Sequence, residues 1–498
     1  NQNVAYFALA RMMKQRRPDV LIVMGGANCE APMGPQIVRN VPDIDFVFSG
    51  PALRSFPRFV QRHLLGEDDA FHDIPGMFSA ADCSLQQNTG LYGDDLNIDV
   101  PIELQYDEYL ESLDRTFPGD LHGIVPTVLF ETSRGCWWGQ RAHCTFCGLN
   151  GATMKYRGMQ PEQAIRQLGS LFRYAPRVKH FQCVDNIMPK QYPREVFARV
   201  EVPDDVSIFY EVKSDLTAEE LAILSRARVN RLQPGIESLS TSTLKLMKKG
   251  STSFQNLTLL KNCRLYGVHP FWNLLVGFPG EESHVYRKYL ADLPRLTHLP
   301  HPIGVFPVRF DRFSPYFMRA DEFGLQLHPL DYYDLTYPFS TEVLNDLAYY
   351  FADHNLSADY FTSMVEWIGK LRKAVACWLE RWQGKQRGTS PSLHLTIRDD
   401  TAVICDSRFS SVDEYEVTEA CRSALLFLEK PNRLSALRAR LADGYPESVI
   451  ETTLSFLQER MLLFQEDNRY LSLVLRENVK AAADCSDYMV PELAGRKN

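Results

Sequence analysis

Glu131-Thr-Ser-Arg-Gly-Cys136-Trp-Trp-Gly-Gln-Arg-Ala-His143-Cys144-Thr-Phe146-Cys147-Gly-Leu-Asn-Gly151 is the stretch that decides the fold. Three thiols, Cys136, Cys144 and Cys147, fall within one short loop at the spacing C-x7-C-x2-C. The run before them, Val125 to Glu131, is rich in Val, Thr, Leu and Phe and predicts a buried strand. Glycines at 135, 139, 148 and 151 let the loop bend sharply around whatever the sulfurs hold. A structural zinc site closes its shell with a fourth Cys or a His. A cubane iron–sulfur cluster on three cysteines instead leaves one iron open. Three readings stand at this point: such a cluster, a zinc site completed by His143, or buried thiols packing as small hydrophobes.

The chain has 498 residues, room for about two to four domains, with 45% hydrophobic and 23% charged residues. No apolar run reaches the length of a membrane span, and no signal peptide is visible. A formal charge of −8 provides no basic footprint, which excludes nucleic acid as the main partner. Eleven cysteines, odd in number and without framework spacing, point to a reducing cytoplasm. Outside the loop they are widely separated, and no second metal cluster is evident.

Around this loop the chain reads as α/β. Residues 1–66 follow the order helix (Val4 to Gln15), strand (Val20 to Met24), glycine turn (Gly25-Gly26-Ala27-Asn28), helix (Pro35 to Asn40) and strand (Asp45 to Ser49). That order is the later half of a doubly wound domain, and ligands sit beyond the carboxyl ends of such strands. The chain opens with Asn1 at the edge of a helical pattern, so the expectation is of a domain entered part-way. Residues 67–124, dense in Gly, Pro, Asp and Asn, read as a connector, with room for a small hairpin. From 125 to 326, six strands alternate with helices: Val125–Thr132, Val178–Val184, Val206–Val212, Val229–Ile236, Pro270–Val276 and Ile303–Val308. This pattern predicts an open, partial (β/α)6 barrel, whose active groups gather at the carboxyl ends of the strands. Those ends carry Asp185 and Asn186, Glu211 and Lys213, Glu237 and Ser238, and Val276-Gly277 with Glu281. Residues 327–391, with Leu347–Phe351 and Phe361–Trp382, predict a helical layer packed across the barrel. Residues 392–476 predict a hairpin, three helices (Val417–Leu428, Arg433–Ala442, Glu447–Arg460) and a last hairpin around Glu466-Asp-Asn-Arg469, which is a winged-helix-like pattern. Its third helix carries three glutamates against one arginine, which argues against DNA. Residues 477–498 read as a disordered tail.

A C-x2-C pair with an aromatic, Phe146, before the last cysteine, directly after a strand, resembles the cluster loop of radical S-adenosylmethionine (SAM) enzymes. The seven-residue first spacing and the Trp137–Trp138 pair look like a narrower group, the cobalamin-type radical SAM proteins that mature ribosomally synthesised peptides (RiPPs). The resemblance implies a [4Fe–4S] cluster on Cys136, Cys144 and Cys147. It implies SAM contacts from Phe146, Asp185, Asn186, Glu237, Val276 and Gly277. Ile22-Val-Met-Gly-Gly-Ala-Asn-Cys-Glu30 looks like a late strand and loop of a cobalamin-binding domain, which would set Gly25, Gly26 and Ala27 against that cofactor. The same resemblance makes 392–476 similar to a peptide-recognition module. It implies a precursor peptide as substrate, an electron donor such as a flavodoxin or ferredoxin, and C-methylation as the reaction. Epimerisation, oxidation or cross-linking of the peptide, or a non-catalytic zinc or cluster protein that binds peptides, are the alternatives.

Overall fold

The computed structural model describes residues 2–66, 73–81, 90–151, 154–383, 390–398, 401–409 and 411–476. The tail expected at 477–498, residues 67–72 and 82–89 of the expected connector, and Asp399 and Asp400, where the first hairpin was expected to turn, lie outside the described residues. The chain divides into two compact units, neither continuous in sequence. One comprises Asn1–Ile102, Arg134–Met159 and Val308–Ala358; the other comprises Glu103–Ser133, Gln160–Pro307 and Asp359–Asn498.

The larger unit is built on parallel strands. Thr127–Phe130, His180–Cys183, Ser207–Val212, Arg231–Pro234 and His269–Pro270 lie side by side in chain order. Every pairing in that row is parallel, for example Phe130↔Cys183 and Val212↔Pro234. Leu274–Val276 and Val305–Pro307 form a further parallel pair. The fifth strand of the sequence reading is thus divided, its middle interrupted at Phe271–Asn273. Helices Pro161–Leu171, Ala218–Arg226, Thr241–Leu246, Ser253–Tyr266 and Ser283–Asp292 connect the strands. Two of them open on capping boxes, Thr217 with Glu220 and Thr252 with Gln255, which satisfy otherwise orphaned backbone donors. The segment Pro193–Phe197 is a π-helix where an ordinary helix was expected.

The long helix Asp359–Trp382 packs on Ser283–Asp292 and on the last parallel strand. Its tryptophans serve that packing. The Trp378 indole donates to the Leu299 carbonyl at 3.0 Å, and the Trp382 indole to that of Thr297 at 2.8 Å. Beyond it, Asp413–Val417, Thr401–Asp406, Leu393–Arg398 and Leu475–Arg476 make a four-stranded sheet. Helices Glu419–Phe427, Leu434–Ala442 and Glu447–Glu459 follow, then the hairpin Leu463–Glu466/Arg469–Ser472. Asp467 and Asn468 turn that hairpin with φ of 47° and 59°, a conformation that short polar side chains tolerate. Arg408, fully buried, pairs with Asp406 and donates to the carbonyls of Arg295, Arg460 and Met461.

In the smaller unit Val23–Met24 and Phe46–Phe48 pair in parallel, and Met77–Ser79 adds antiparallel to the second of them. Phe48, Phe59, Ile74 and Met77 form its core. The segment expected to sit within a connector therefore completes this sheet. Its apolar run is too short for periodicity to reveal a strand. Phe310–Asp311, Tyr350–Asp353 and Leu327–Pro329 form a second, antiparallel sheet. This corrects the helix expected over Leu347–Phe351: strand pairing outweighs a pattern of only five residues. Among the described residues no helix is long and apolar enough to cross a membrane.

Candidate active site

The cysteine loop follows the first parallel strand directly in the chain. Cys136 caps the short helix Trp137–Arg141, its sulfur accepting the Gly139 N–H at 3.3 Å. Cys144 is buried, Cys147 is half-buried, and none of the three is in a disulfide. Gly148 is needed for close approach, since a Cβ there would stand 2.1 Å from the Arg312 carbonyl oxygen. Thr145 accepts the Tyr316 N–H at 2.9 Å, and half-buried Phe146 lies between Thr145 and Cys147. His143 places Nε2 2.7 Å from the Cys147 carbonyl, and burial holds its pKa below the usual imidazole value. Among the described residues no three His, Cys, Asp or Glu side chains converge on a point that would hold a single ion. Three thiols in a tightly turned loop, one already receiving an N–H donor, fit a cluster whose sulfurs each bind a different iron.

The exit of the first strand is set by the second. Asp185 is 1% exposed, with one carboxylate oxygen accepting Thr132 N–H at 2.7 Å and the other Thr132 Oγ1 at 2.6 Å. Tyr210 reaches the same hydroxyl at 3.2 Å, and Ser133 Oγ donates to the Ile187 carbonyl at 3.1 Å. Burial raises the Asp185 pKa. Its carboxylate is held within the protein by Thr132. A motif locates a residue at a strand end but not the direction of its side chain. Asn186, next to it, is half-buried.

The fourth strand ends in a strained turn. Glu237 has φ of +56°, a left-handed conformation rare for a residue with a side chain, and such strain persists where the surroundings hold it. Asn256 is that support. Its amide donates to the carbonyls on either side of Glu237, Ile236 at 3.0 Å and Ser238 at 2.8 Å. Ser238 Oγ meets the Tyr289 hydroxyl at 2.6 Å, and the Glu237 carbonyl accepts the Leu275 N–H at 2.8 Å. The Glu237 carboxylate pairs with Lys249 at 3.0 Å; both side chains are partly exposed. Glu211, at the end of the third strand, is pushed up to about 7 by burial and then by the charge of Glu237.

After the fifth strand, Val276 is buried and Gly277 has φ of +81°. Glu281 organises this turn. One oxygen accepts the N–H groups of Gly277 at 2.8 Å and Phe278 at 3.3 Å and the Tyr286 hydroxyl at 2.6 Å, the other the Thr243 hydroxyl at 2.8 Å. A Cβ at Gly277 would meet Met364 of the long helix at 3.0 Å. Lys249 and Asn256 were not legible in the sequence, because nothing in its spacing shows which helix residue returns to a strand end.

In the smaller unit Gly25, Gly26 and Ala27 are exposed at the carboxyl end of Val23–Met24. A Cβ built at either glycine would meet nothing within 4 Å.

The sequence of residues 130–291 matches the radical SAM superfamily. An uncharacterized methyltransferase of Pyrococcus horikoshii is 24% identical over 284 residues, covering 55% of this chain and 58% of that protein. The chain thus spans little more than half the length of this curated relative. The radical SAM methyltransferase TsrM from Kitasatospora setae, solved with tryptophan and a SAM analogue, superposes with a TM-score of 0.53 at 14% identity, covering 77% of each chain. The cobalamin-dependent SAM radical enzyme OxsB, solved with aqua-cobalamin, gives 0.52 at 16% identity, covering 70% of this chain and 54% of that one. These two likenesses concern the fold. The sequence match marks residues 130–291 as a radical SAM domain, and the cysteine loop lies within that stretch.

Proposed function

We propose that this protein is a radical SAM enzyme that transfers a methyl group to a carbon of a ribosomally synthesised precursor peptide, with cobalamin as a further cofactor. The observation that carries the reading is the C-x7-C-x2-C loop, which follows the first parallel strand directly in the chain. Bound together, a [4Fe–4S] cluster, SAM and cobalamin supply one-electron cleavage of SAM, hydrogen abstraction and a transferable methyl group. Cys136, Cys144 and Cys147 would hold the cluster. Glu237 presents a carboxylate able to accept hydrogen bonds from SAM hydroxyl or amino groups, and Lys249 keeps that carboxylate compensated until they arrive. The turn at Val276-Gly277, shaped by Glu281, offers backbone and an apolar surface to a flat ring. Asp185 acts indirectly, by fixing Thr132 at the root of the cysteine loop.

The kinship with a curated methyltransferase supports methyl transfer. The likeness to OxsB and the open glycine turn at Gly25-Gly26 support cobalamin. Residues 392–476 support a peptide substrate. Their strands, three helices and closing hairpin have a winged-helix order, and Asp413–Val417 pairs only with Thr401–Asp406 among the described residues. An extended peptide adds to such an edge through main-chain hydrogen bonds. A flavodoxin or ferredoxin would deliver the electron.

Anaerobic reconstitution tests the reading. About four irons per chain are expected, as a cubane requires. They should be lost in Cys136→Ala, Cys144→Ala or Cys147→Ala and kept in Cys263→Ala. Reduced protein with SAM should release 5′-deoxyadenosine, and a cognate peptide should gain mass in methyl units. Stoichiometric zinc without reconstitutable iron would remove the reading. A peptide shifted by anything but methyl units would replace methylation with another radical modification.

A further inference from the structure

The hairpin Leu463–Glu466/Arg469–Ser472 closes the C-terminal sheet-and-helix region, yet donors from the barrel side hold it. Arg295 donates to the Leu463 carbonyl at 3.1 Å, Lys261 to that of Ser472, and the His298 ring contacts that of Leu473 at 2.9 Å. One side chain reaches back the other way. One Glu466 carboxylate oxygen accepts the Thr241 N–H at 2.9 Å, and the other accepts the hydroxyls of Thr241 and Ser253. Thr241 and Ser253 are the first residues of helices Thr241–Leu246 and Ser253–Tyr266.

Those two helices control both turns of the candidate SAM site. Thr241 follows Ser240, whose N–H is held by Ser238 Oγ at 3.0 Å, one residue beyond the strained Glu237. Thr243, on the same helix, bonds Glu281, which shapes the turn at Gly277. The other helix carries Asn256, the clamp across Glu237. A left-handed glutamate is retained only while its frame is over-determined. Glu466 ties together the two starting points of that frame, from 225 residues beyond Thr241 in the sequence.

We infer that Glu466 is a positioning residue for SAM: from the C-terminal hairpin it fixes the frame that holds Glu237 and Gly277, so that this hairpin is part of the SAM site's construction. The inference rests on the radical SAM reading above. Glu466→Ala removes the acceptor. Ser253→Ala removes one donor without touching the hairpin, and Glu466→Gln keeps the shape and one carbonyl acceptor. Hydrogen exchange of the cofactor-free proteins and equilibrium SAM binding to the reconstituted ones are measured together, with Glu451→Gln as an exposed acidic control.

In Glu466→Ala the amides of residues 236–241 should exchange faster, and SAM should bind about tenfold more weakly with iron content unchanged, the size expected for a lost charge-assisted bond. Ser253→Ala should move both readouts less in the same direction, and Glu466→Gln should recover most of the affinity. Should Glu466→Ala fail to fold, Ser253→Ala carries the test alone. Faster exchange confined to residues 463–472 with unchanged SAM affinity overturns the inference and leaves Glu466 a staple of the hairpin. Glu237→Ala separates the two levels. If that variant binds SAM normally the site reading fails, whereas if it binds weakly and both Glu466→Ala and Ser253→Ala bind normally, only the positioning role fails.

Discussion

Glu211 carries the clearest residue-scale consequence of how the strand ends are arranged. Burial and the neighbouring Glu237 hold its carboxyl at about 7, against 4.5 for a solvated one. A raised acid pKa means that the folded state binds the extra proton between those values, so its contribution to stability is complete below 4.5 and is lost as pH rises through about 7. The loss between pH 5 and 8 is on the order of 2 kcal/mol for this group. Glu211→Gln should therefore be more stable than the parent at pH 8, and the two should converge toward pH 5. Urea unfolding at the two pH values checks this; equal pH slopes in both proteins would show that the carboxyl ionises normally. The sequence placed Glu211 and Glu237 at adjacent strand ends by counting residues from strand to strand. It did not show the field each exerts on the other, because proximity across a sheet depends on register, which a single strand does not encode. The same limit applies to Asp185: its position was legible, whereas its commitment to Thr132 was not.

At the scale of elements, legibility followed length and period. The parallel strands were readable because each is a short apolar run bounded by turn residues, although the fifth is divided at Phe271–Asn273. Met77–Ser79 and Tyr350–Asp353 were missed or misread, since their strand identity comes from pairing with segments distant in sequence. No pattern could have revealed the buried Asp406–Arg408 pair as the pin between the C-terminal sheet and its surroundings. Arg408 serves three carbonyls as well as Asp406, so Arg408→Ala strands a buried carboxylate and several acceptors at once. A loss of about 3–5 kcal/mol is expected, the range for breaking a buried pair from one side. Replacing both partners by Met should cost less. A thermal midpoint for Arg408→Ala equal to the parent's would show that water replaces those bonds.

On the scale of the molecule, the cobalamin question turns on how much parallel sheet is present. In the smaller unit Val23–Met24 pairs with Phe46–Phe48 in parallel, and Met77–Ser79 runs antiparallel to the latter. A corrin with its nucleotide tail needs several strand ends to rest on. Titration of this 498-residue chain with hydroxocobalamin should accordingly show weak binding, with Gly26→Val weakening it further. Tight binding to the chain alone would mean that the Gly25-Gly26 turn suffices. The hairpin fastened to the barrel has a separate bearing on how such enzymes can be re-engineered. Where a recognition module hangs on a linker, exchanging it between relatives redirects an enzyme at no cost to its chemistry. Here residues 463–472 share their carbonyls and the Glu466 carboxylate with Thr241, Ser253, Lys261 and Arg295. A chimaera that swaps the C-terminal region must bring matching residues at Thr241, Ser253, Lys261 and Arg295 with it, so hairpin and helices change as one piece.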